Sequence, residues 1–322
     1  MSRIEWTEKT WNPVVGCTIL SPGCTNCYAM KQAHRIQAMY HGANLQAGRG
    51  APYPPSPYDG TTKDTKAGPV WTGKVAWGGD EKLLEPLRRK RPTTYFVNSM
   101  SDLFHEDVPD EWIDRVFAVM ALSPQHTFQV LTKRAKRMRE YCTGLAGKLS
   151  WRRAAIGDAM FEISGRAIGQ HQPEMPLPNV WLGVSAEDQP RADQRVPELL
   201  ATPAAVRFVS AEPLLGPIVM PLAWLRQGDN GAWPHDVMPG TGLDWIIVGG
   251  ESGPNARPMQ VPWARSIVQQ CKASGVACFV KQLGADPIWE DGAFLNLAHR
   301  KGADMAKWPD DLRVREVPDA TA

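Results

Sequence analysis

The apolar residues of this chain fall mostly in short continuous runs rather than in strict alternation. Thr127-Phe-Gln-Val-Leu131, Val180-Trp-Leu-Gly-Val184, Val206-Arg-Phe-Val209, Trp245-Ile-Ile-Val248 and Ala277-Cys-Phe-Val280 are the clearest. Tyr95-Phe-Val-Asn98 and Lys74-Val-Ala-Trp77 extend the set, and Val14-Val15 reads as the end of a first strand. Such runs predict strands covered on both faces. Helix-compatible stretches lie between most of them, among them Tyr28 to Tyr40, Asp80 to Arg91, Pro109 to Leu122 and Ala135 to Leu145. Strands alternating with helices predict an α/β fold with a parallel sheet. With about eight candidate strands, the expectation is a parallel (β/α) barrel, full or partial and TIM-like, in a single domain over residues 1–322. A doubly wound sheet is the alternative, but no Gly-x-Gly-x-x-Gly loop follows the first strand. Long insertions are predicted at about 41–73, 146–176 and 226–242, where Gly, Pro and aromatic residues displace the rhythm or only partial helix patterns remain.

Composition narrows the class only a little. Hydrophobic residues make up 43% and charged residues 22%, ordinary for a globular protein with a sizeable core. The net charge of +2 neither requires nor excludes a nucleic-acid partner. No apolar run approaches a membrane span, and Met-Ser-Arg-Ile-Glu-Trp is no signal peptide, so no membrane partner and a cytoplasmic location are expected.

The cysteines change the picture more. Cys17, Cys24 and Cys27 crowd into a loop rich in Gly and Pro, directly after Val14-Val15. In a reducing compartment clustered thiols serve metals rather than disulfides. Three thiolates this close can share one inorganic centre, an iron–sulfur cluster or a zinc ion with His34 as fourth ligand. Cys142, Cys271 and Cys278 are scattered and read as small packed apolar residues.

A second pattern lies just after each predicted strand. Ser99, Ser101, Asp102, His105 and Glu106 follow the third, and Thr132-Lys133-Arg134 the fourth. Ser185 and Glu187 follow the fifth, Ser210 and Glu212 the sixth, Glu251-Ser252 the seventh and Lys281-Gln282 the last. In a parallel barrel these ends meet on one face, the face on which active sites are built. They predict a convergent polar mouth with an acidic ring of Asp102, Glu187, Glu212 and Glu251 as candidate catalytic groups. Two basic runs, Arg88 to Arg91 and Lys133 to Arg139, are candidate phosphate contacts for a nucleic acid.

The residues around the thiols carry a family resemblance. Asn12-Pro13, Gly16-Cys17, Gly23-Cys24 and Cys27-Tyr28-Ala29 resemble the cluster loop of radical S-adenosylmethionine (SAM) enzymes, in particular the spore photoproduct lyase branch. That family holds a [4Fe-4S] cluster on three cysteines and leaves the fourth iron open to SAM. The usual Cys-x3-Cys-x2-Cys spacing is lengthened here, with six residues between Cys17 and Cys24. Ser101-Asp102-Leu-Phe104, Thr132-Lys133 and Val184-Ser185 resemble further elements of the branch. By that likeness Ser101, Asp102, Lys133 and Ser185 approach SAM, with Lys133 suited to its carboxylate. Gly249-Gly250-Glu251 spells a motif that many such enzymes use for the methionyl amine, but after a late strand, so that role does not carry over. The chain also resembles, nearly end to end, an uncharacterised group of phage and prophage proteins with a three-cysteine motif. The resemblance implies a radical SAM enzyme that takes electrons from a donor and abstracts hydrogen from an unknown substrate, with nucleobases and nucleic acids among the candidates. The alternatives are a non-catalytic zinc or Fe–S protein of a phage complex, and a nucleic-acid binding module with a structural cluster.

Overall fold

The computed structural model describes residues 4–46, 56–145, 150–165, 173–225, 242–289 and 301–318. Seven parallel strands form the main sheet: β1 Lys9–Trp11, β2 Thr94–Val97, β3 Thr127–Thr132, β4 Val180–Ser185, β5 Val206–Ala211, β6 Trp245–Gly249 and β7 Ala277–Gln282. Their order in the sheet is their order in the chain, and no described pairing closes β7 back onto β1. A doubly wound sheet reverses its strand order at a switch point. This one never reverses, which sets the doubly wound alternative aside and leaves an α/β fold with an open parallel sheet.

Helices occupy most of the connections. They are α1 Tyr28–Gln46, α2 Asp110–Ala121, α3 Ala135–Thr143, α4 Trp151–Ser164, α5 Gln189–Leu200 and α6 Val261–Ser274. Side chains cap the start of two of them. Asp188 caps α5 by accepting from the Arg191 N–H at 3.1 Å, and Ser150 caps α4 by accepting from the Arg153 N–H at 3.3 Å. Gly165 and Gly275, both left-handed, end α4 and α6.

Two expected strands of the main sheet belong elsewhere. Val14–Val15 pairs antiparallel with Ala76–Trp77 in a separate two-stranded ribbon. The first sheet position is held instead by Lys9–Trp11, which runs parallel to β2 with Thr10 opposite Phe96. Lys-Thr-Trp has no apolar run to announce it, and only its neighbour makes it a strand. The predicted helix from Asp80 to Arg91 is confined to Asp80–Leu83, followed by a 3-10 turn at Pro86–Arg88. Pro86 lacks the N–H that a continuing helix needs. Within the first predicted insertion, Thr62–Thr65 and Gly68–Trp71 form a hairpin, while residues 47–55 lie outside the described ones. The second insertion contains α4, and its residues 146–149 and 166–172 lie outside the description. So does almost all of the third, residues 226–241.

The chain divides into two compact units. The first is Met1–Ser2, Thr7–Val130 and Leu149–Pro173, and the second is Arg3–Trp6, Leu131–Lys148 and Glu174–Ala322. In the first, Trp11, Tyr95 and Phe128 are fully buried, with the Tyr95 and Phe128 rings stacked at 5.5 Å and Trp11 tilted against Phe128 at 5.4 Å. In the second, Trp245 is enclosed by the rings of Trp6, Trp181, Phe208 and Phe279, with centroids 5.8 to 6.2 Å away. These tryptophans serve the cores, each aromatic pair adding about 0.5–1.5 kcal/mol beyond its buried area. Cys142, Cys271 and Cys278 are buried as expected. The Cys278 thiol is pushed up by its hydrogen bond with Cys271 and by burial, so it stays protonated. No described helix is long and apolar enough to cross a membrane.

Candidate functional site

The cysteine loop begins at the C-terminal end of β1 and is tied to the loop that follows β2. The Asn98 N–H donates to the Trp11 carbonyl at 2.7 Å, with Asn98 itself in the left-handed region at φ 57°. Asn tolerates that conformation better than most residues. Its side-chain oxygen accepts from the Val14 N–H at 3.4 Å. In the other direction, Asn12 Oδ1 accepts from Ser99 Oγ at 3.1 Å and from the Met100 N–H at 3.0 Å. Ser101 Oγ donates to the Val14 carbonyl at 2.8 Å, and the Gly16 N–H donates to the Met100 carbonyl at 3.1 Å. These bonds bridge more than 80 positions of sequence and fix where Cys17 leaves the sheet. Gly16 is obligatory on two counts: its φ is +87°, and a Cβ would sit 2.1 Å from the Lys74 carbonyl oxygen.

The loop is then held by His105 and folds through a single 3-10 turn. The Asp107 N–H donates to His105 Nδ1 at 3.1 Å, so in the neutral ring Nε2 carries the proton and donates to Thr18 Oγ1 at 2.6 Å. Pro22–Cys24 form the turn, with the Cys24 N–H on the Ser21 carbonyl at 2.9 Å and the Cys27 N–H on the Cys24 carbonyl at 3.2 Å. Helix α1 starts at the next residue, Tyr28, whose hydroxyl donates to the Ser99 carbonyl at 2.9 Å. Cys17, Cys24 and Cys27 are all half-buried thiols outside any disulfide. Cys17 and Cys27 pack against one buried apolar group made of Ala29, Met30, Ala33, Trp71 and Met100. Tyr58 joins the same group, its phenol pushed up to about 12 by burial and, secondarily, by Tyr40.

Among the described residues, no three His, Cys, Asp or Glu side chains converge tightly enough to hold a single metal ion. His34, the sequence's candidate for a fourth zinc ligand, is turned to the hairpin, with Nδ1 3.5 Å from Thr62 Oγ1 and Nε2 3.5 Å from Asp64 Oδ1. A zinc ion draws four ligands to within about 2.0–2.3 Å of one point. A cluster that offers each thiolate its own iron accepts a wider triangle. Three thiols on one loop, two of them against a shared apolar wall, are the type of donor an iron–sulfur cluster takes.

Asp102, also in the first unit, is buried and closes its own turn, Oδ1 accepting from the Phe104 N–H at 3.0 Å. The other predicted site residues belong to the second unit. Lys133 is half-buried directly after β3. Ser185 ends β4 buried, its carbonyl accepting from Arg195 Nη1 at 2.8 Å. The three glutamates carry compensated charge rather than contributing bare carboxylates to an acidic ring. Glu187 is 0% exposed and pairs with the equally enclosed Arg195 at 3.0 Å. Glu212 pairs with Lys281 at 3.0 Å. Glu251 accepts from Arg257 three times, from the backbone N–H at 2.9 Å, from Nε at 3.0 Å and from Nη2 at 2.6 Å. Gly249 leaves room for the second of these pairs, since a Cβ there would meet Glu212 Oε1 at 2.4 Å.

Arg195 and Arg257 are partners that the strand-end pattern did not single out. Their signal was local: each follows its glutamate by six to eight residues. Parts of the basic runs meet carboxylates or are buried. Arg139 pairs with Glu198 at 2.8 Å, Lys136 approaches Glu140 at 3.8 Å, Arg88 approaches Glu81 at 3.7 Å, and Arg134 is buried.

No curated protein and no solved structure matches the chain. Residues 1–307 match the family model described as "Protein of unknown function (DUF5131)", and the chain belongs to that family.

Proposed function

We propose that this protein is a radical SAM enzyme that holds a [4Fe-4S] cluster on Cys17, Cys24 and Cys27. The observation that carries the reading is the cysteine loop itself: three half-buried thiols at the C-terminal end of β1, two of them sharing one apolar wall. In parallel α/β folds that end of the strands is where sites are built. We read the seven-stranded sheet as the partial form of the barrel that such enzymes use.

A cluster with one open iron, held by Cys17, Cys24 and Cys27, would supply the single-electron chemistry by which SAM serves as a source of hydrogen-abstracting radicals. The chain's own part is to hold and to shield. Asn12, Asn98 and Ser101 fix the loop's departure from the sheet, and His105 holds Thr18 beside Cys17. Met30, Trp71 and Met100 keep water from the sulfurs of Cys17 and Cys27. By the family resemblance, Ser101, Asp102, Lys133 and Ser185 contact SAM, Lys133 through the methionyl carboxylate.

Anaerobic reconstitution with iron and sulfide, followed by a SAM-cleavage assay, tests the proposal. The expected protein is brown, is bleached by dithionite and releases 5′-deoxyadenosine. Cys17→Ala, Cys24→Ala and Cys27→Ala should each lose most of the iron, while Cys142→Ala, Cys271→Ala and Cys278→Ala keep it. Stoichiometric zinc without iron sinks the assignment, and an intact cluster that never cleaves SAM reduces it to a structural role.

A further inference from the structure

The ion pair of Glu212 with Lys281 differs from the other two in where it lies and in what it leaves open. Glu212 follows β5 and Lys281 belongs to β7, so the pair spans the strand between them, β6. It does so at Gly249, where a Cβ would sit 2.4 Å from Glu212 Oε1. The carboxylate thus occupies the space that any other residue's side chain would take. Strand β7 adapts at the same point. Val248 lies opposite Val280, but Gly249 lies opposite Gln282, which makes Lys281 the extra residue of a bulge. Bulges re-aim side chains and are over-represented beside active sites. Here Lys281 Nζ reaches to 3.0 Å from Glu212 Oε1.

Stability does not call for this pair. Trp245, four residues before Gly249 and so on the same face of β6, is fully buried against Phe208 and Phe279. Next to such an aromatic core, two apolar side chains of similar volume would serve stability as well or better, because a buried ion pair loses on desolvation much of what it gains. Enclosure separates it from Glu187 and Arg195, whose side chains are 0% and 4% exposed. Those of Glu212 and Lys281 are 13% and 17% exposed. Among the described residues, each has the other as its only polar side-chain partner. The carboxylate keeps acceptors, and the ammonium donors, for a further group.

A donor and an acceptor side by side match a group that presents C=O and N–H on one edge. A primary carboxamide, a cyclic amide and a ureide do so. A trans peptide bond points the two in opposite directions. A carboxylate or an ammonium answers only one half of the pair. We propose that Glu212 and Lys281 form a binding site for the amide edge of a small molecule, with Lys281 Nζ donating to its carbonyl oxygen and Glu212 accepting from its N–H. The site lies within the second unit and needs no cluster, so it stands or falls separately from the function proposed above.

The test is a ligand-observed NMR titration of the iron-free full chain, with benzamide as the amide probe. N,N-dimethylbenzamide lacks the N–H, and benzoate replaces it with charge. Benzamide should bind saturably, and both controls at least about tenfold more weakly. Lys281→Met combined with Glu212→Met removes both charges without stranding either, and should weaken benzamide binding about tenfold or more. Gly249→Ala keeps both charges but pushes the carboxylate aside, and should weaken it too. A cooperative melting transition checks that each variant is folded. Absence of saturable benzamide binding overturns the proposal, as does binding that survives in the folded double variant. Equal binding of N,N-dimethylbenzamide, or tighter binding of benzoate, by the wild-type chain overturns it without recourse to any variant.

Discussion

Single residues separate the groups that hold the protein together from those left for chemistry. Glu187 looks like a catalytic acid by position, but its carboxylate is enclosed with Arg195. Removing one partner of such a pair strands a buried charge, at a cost of about 3–5 kcal/mol. Glu187→Ala should therefore lower the unfolding free energy by that amount in urea titration, and a stability unchanged within error would return Glu187 to the list of catalytic candidates. Lys133 lies half-buried directly after β3. If it holds the SAM carboxylate, Lys133→Ala removes a charge-assisted hydrogen bond of about 1.5–3 kcal/mol. SAM affinity by calorimetry should then fall about ten- to hundredfold while iron content stays constant. Equal affinities would assign Lys133 to substrate or to the fold.

At the scale of elements, the cysteine loop depends on backbone geometry more than on its side chains. Gly16 has a positive φ and touches the Lys74 carbonyl, so Gly16→Ala introduces both strain and a clash with backbone. The expected loss is about 1–3 kcal/mol or more, with reduced iron uptake after reconstitution. A variant that binds iron at wild-type stoichiometry would show that the loop can re-route around Lys74. The need for glycine is not legible in Val-Val-Gly-Cys. It arises because residue 74, nearly 60 positions away, runs past Gly16 beside the Val14–Val15 and Ala76–Trp77 ribbon. The same ribbon explains why two apolar dipeptides that read as main-sheet strands lie outside that sheet, and why Lys9–Trp11 takes the first position.

The last scale is the chain as a whole, whose C-terminal segment finishes the second unit. Residues 314–316 lie antiparallel along β7: the Val280 N–H donates to the Val314 carbonyl at 2.9 Å and the Glu316 N–H to the Cys278 carbonyl at 2.8 Å. Glu316 also accepts from the Cys278 N–H at 3.0 Å and, through its carbonyl, from Trp245 Nε1 at 2.8 Å. An uncovered sheet edge is a template for pairing with other chains. Truncation after Leu312 should cost about 0.5–1.5 kcal/mol for each lost bond and raise aggregation on light scattering. A truncated chain that scatters no more light than the full chain, with unchanged melting, would show that β7 needs no cover.

Read without coordinates, the chain already carries its α/β class, six of its main strands within a residue or two, the burial of its scattered cysteines and the crowding of Cys17, Cys24 and Cys27. These are local properties, written in apolar runs and spacing, and neighbouring residues suffice to express them. Strand order, the exclusion of Val14–Val15 from the main sheet, the requirement for Gly16 and the pairing of Glu212 with Lys281 were settled only in three dimensions. Each of them joins residues tens of positions apart, and a carboxylate at a strand end looks the same in sequence whether solvent or a lysine faces it. The acidic ring at the strand ends was legible as a set of carboxylates, while the cations facing Glu187, Glu212 and Glu251 are brought by the fold.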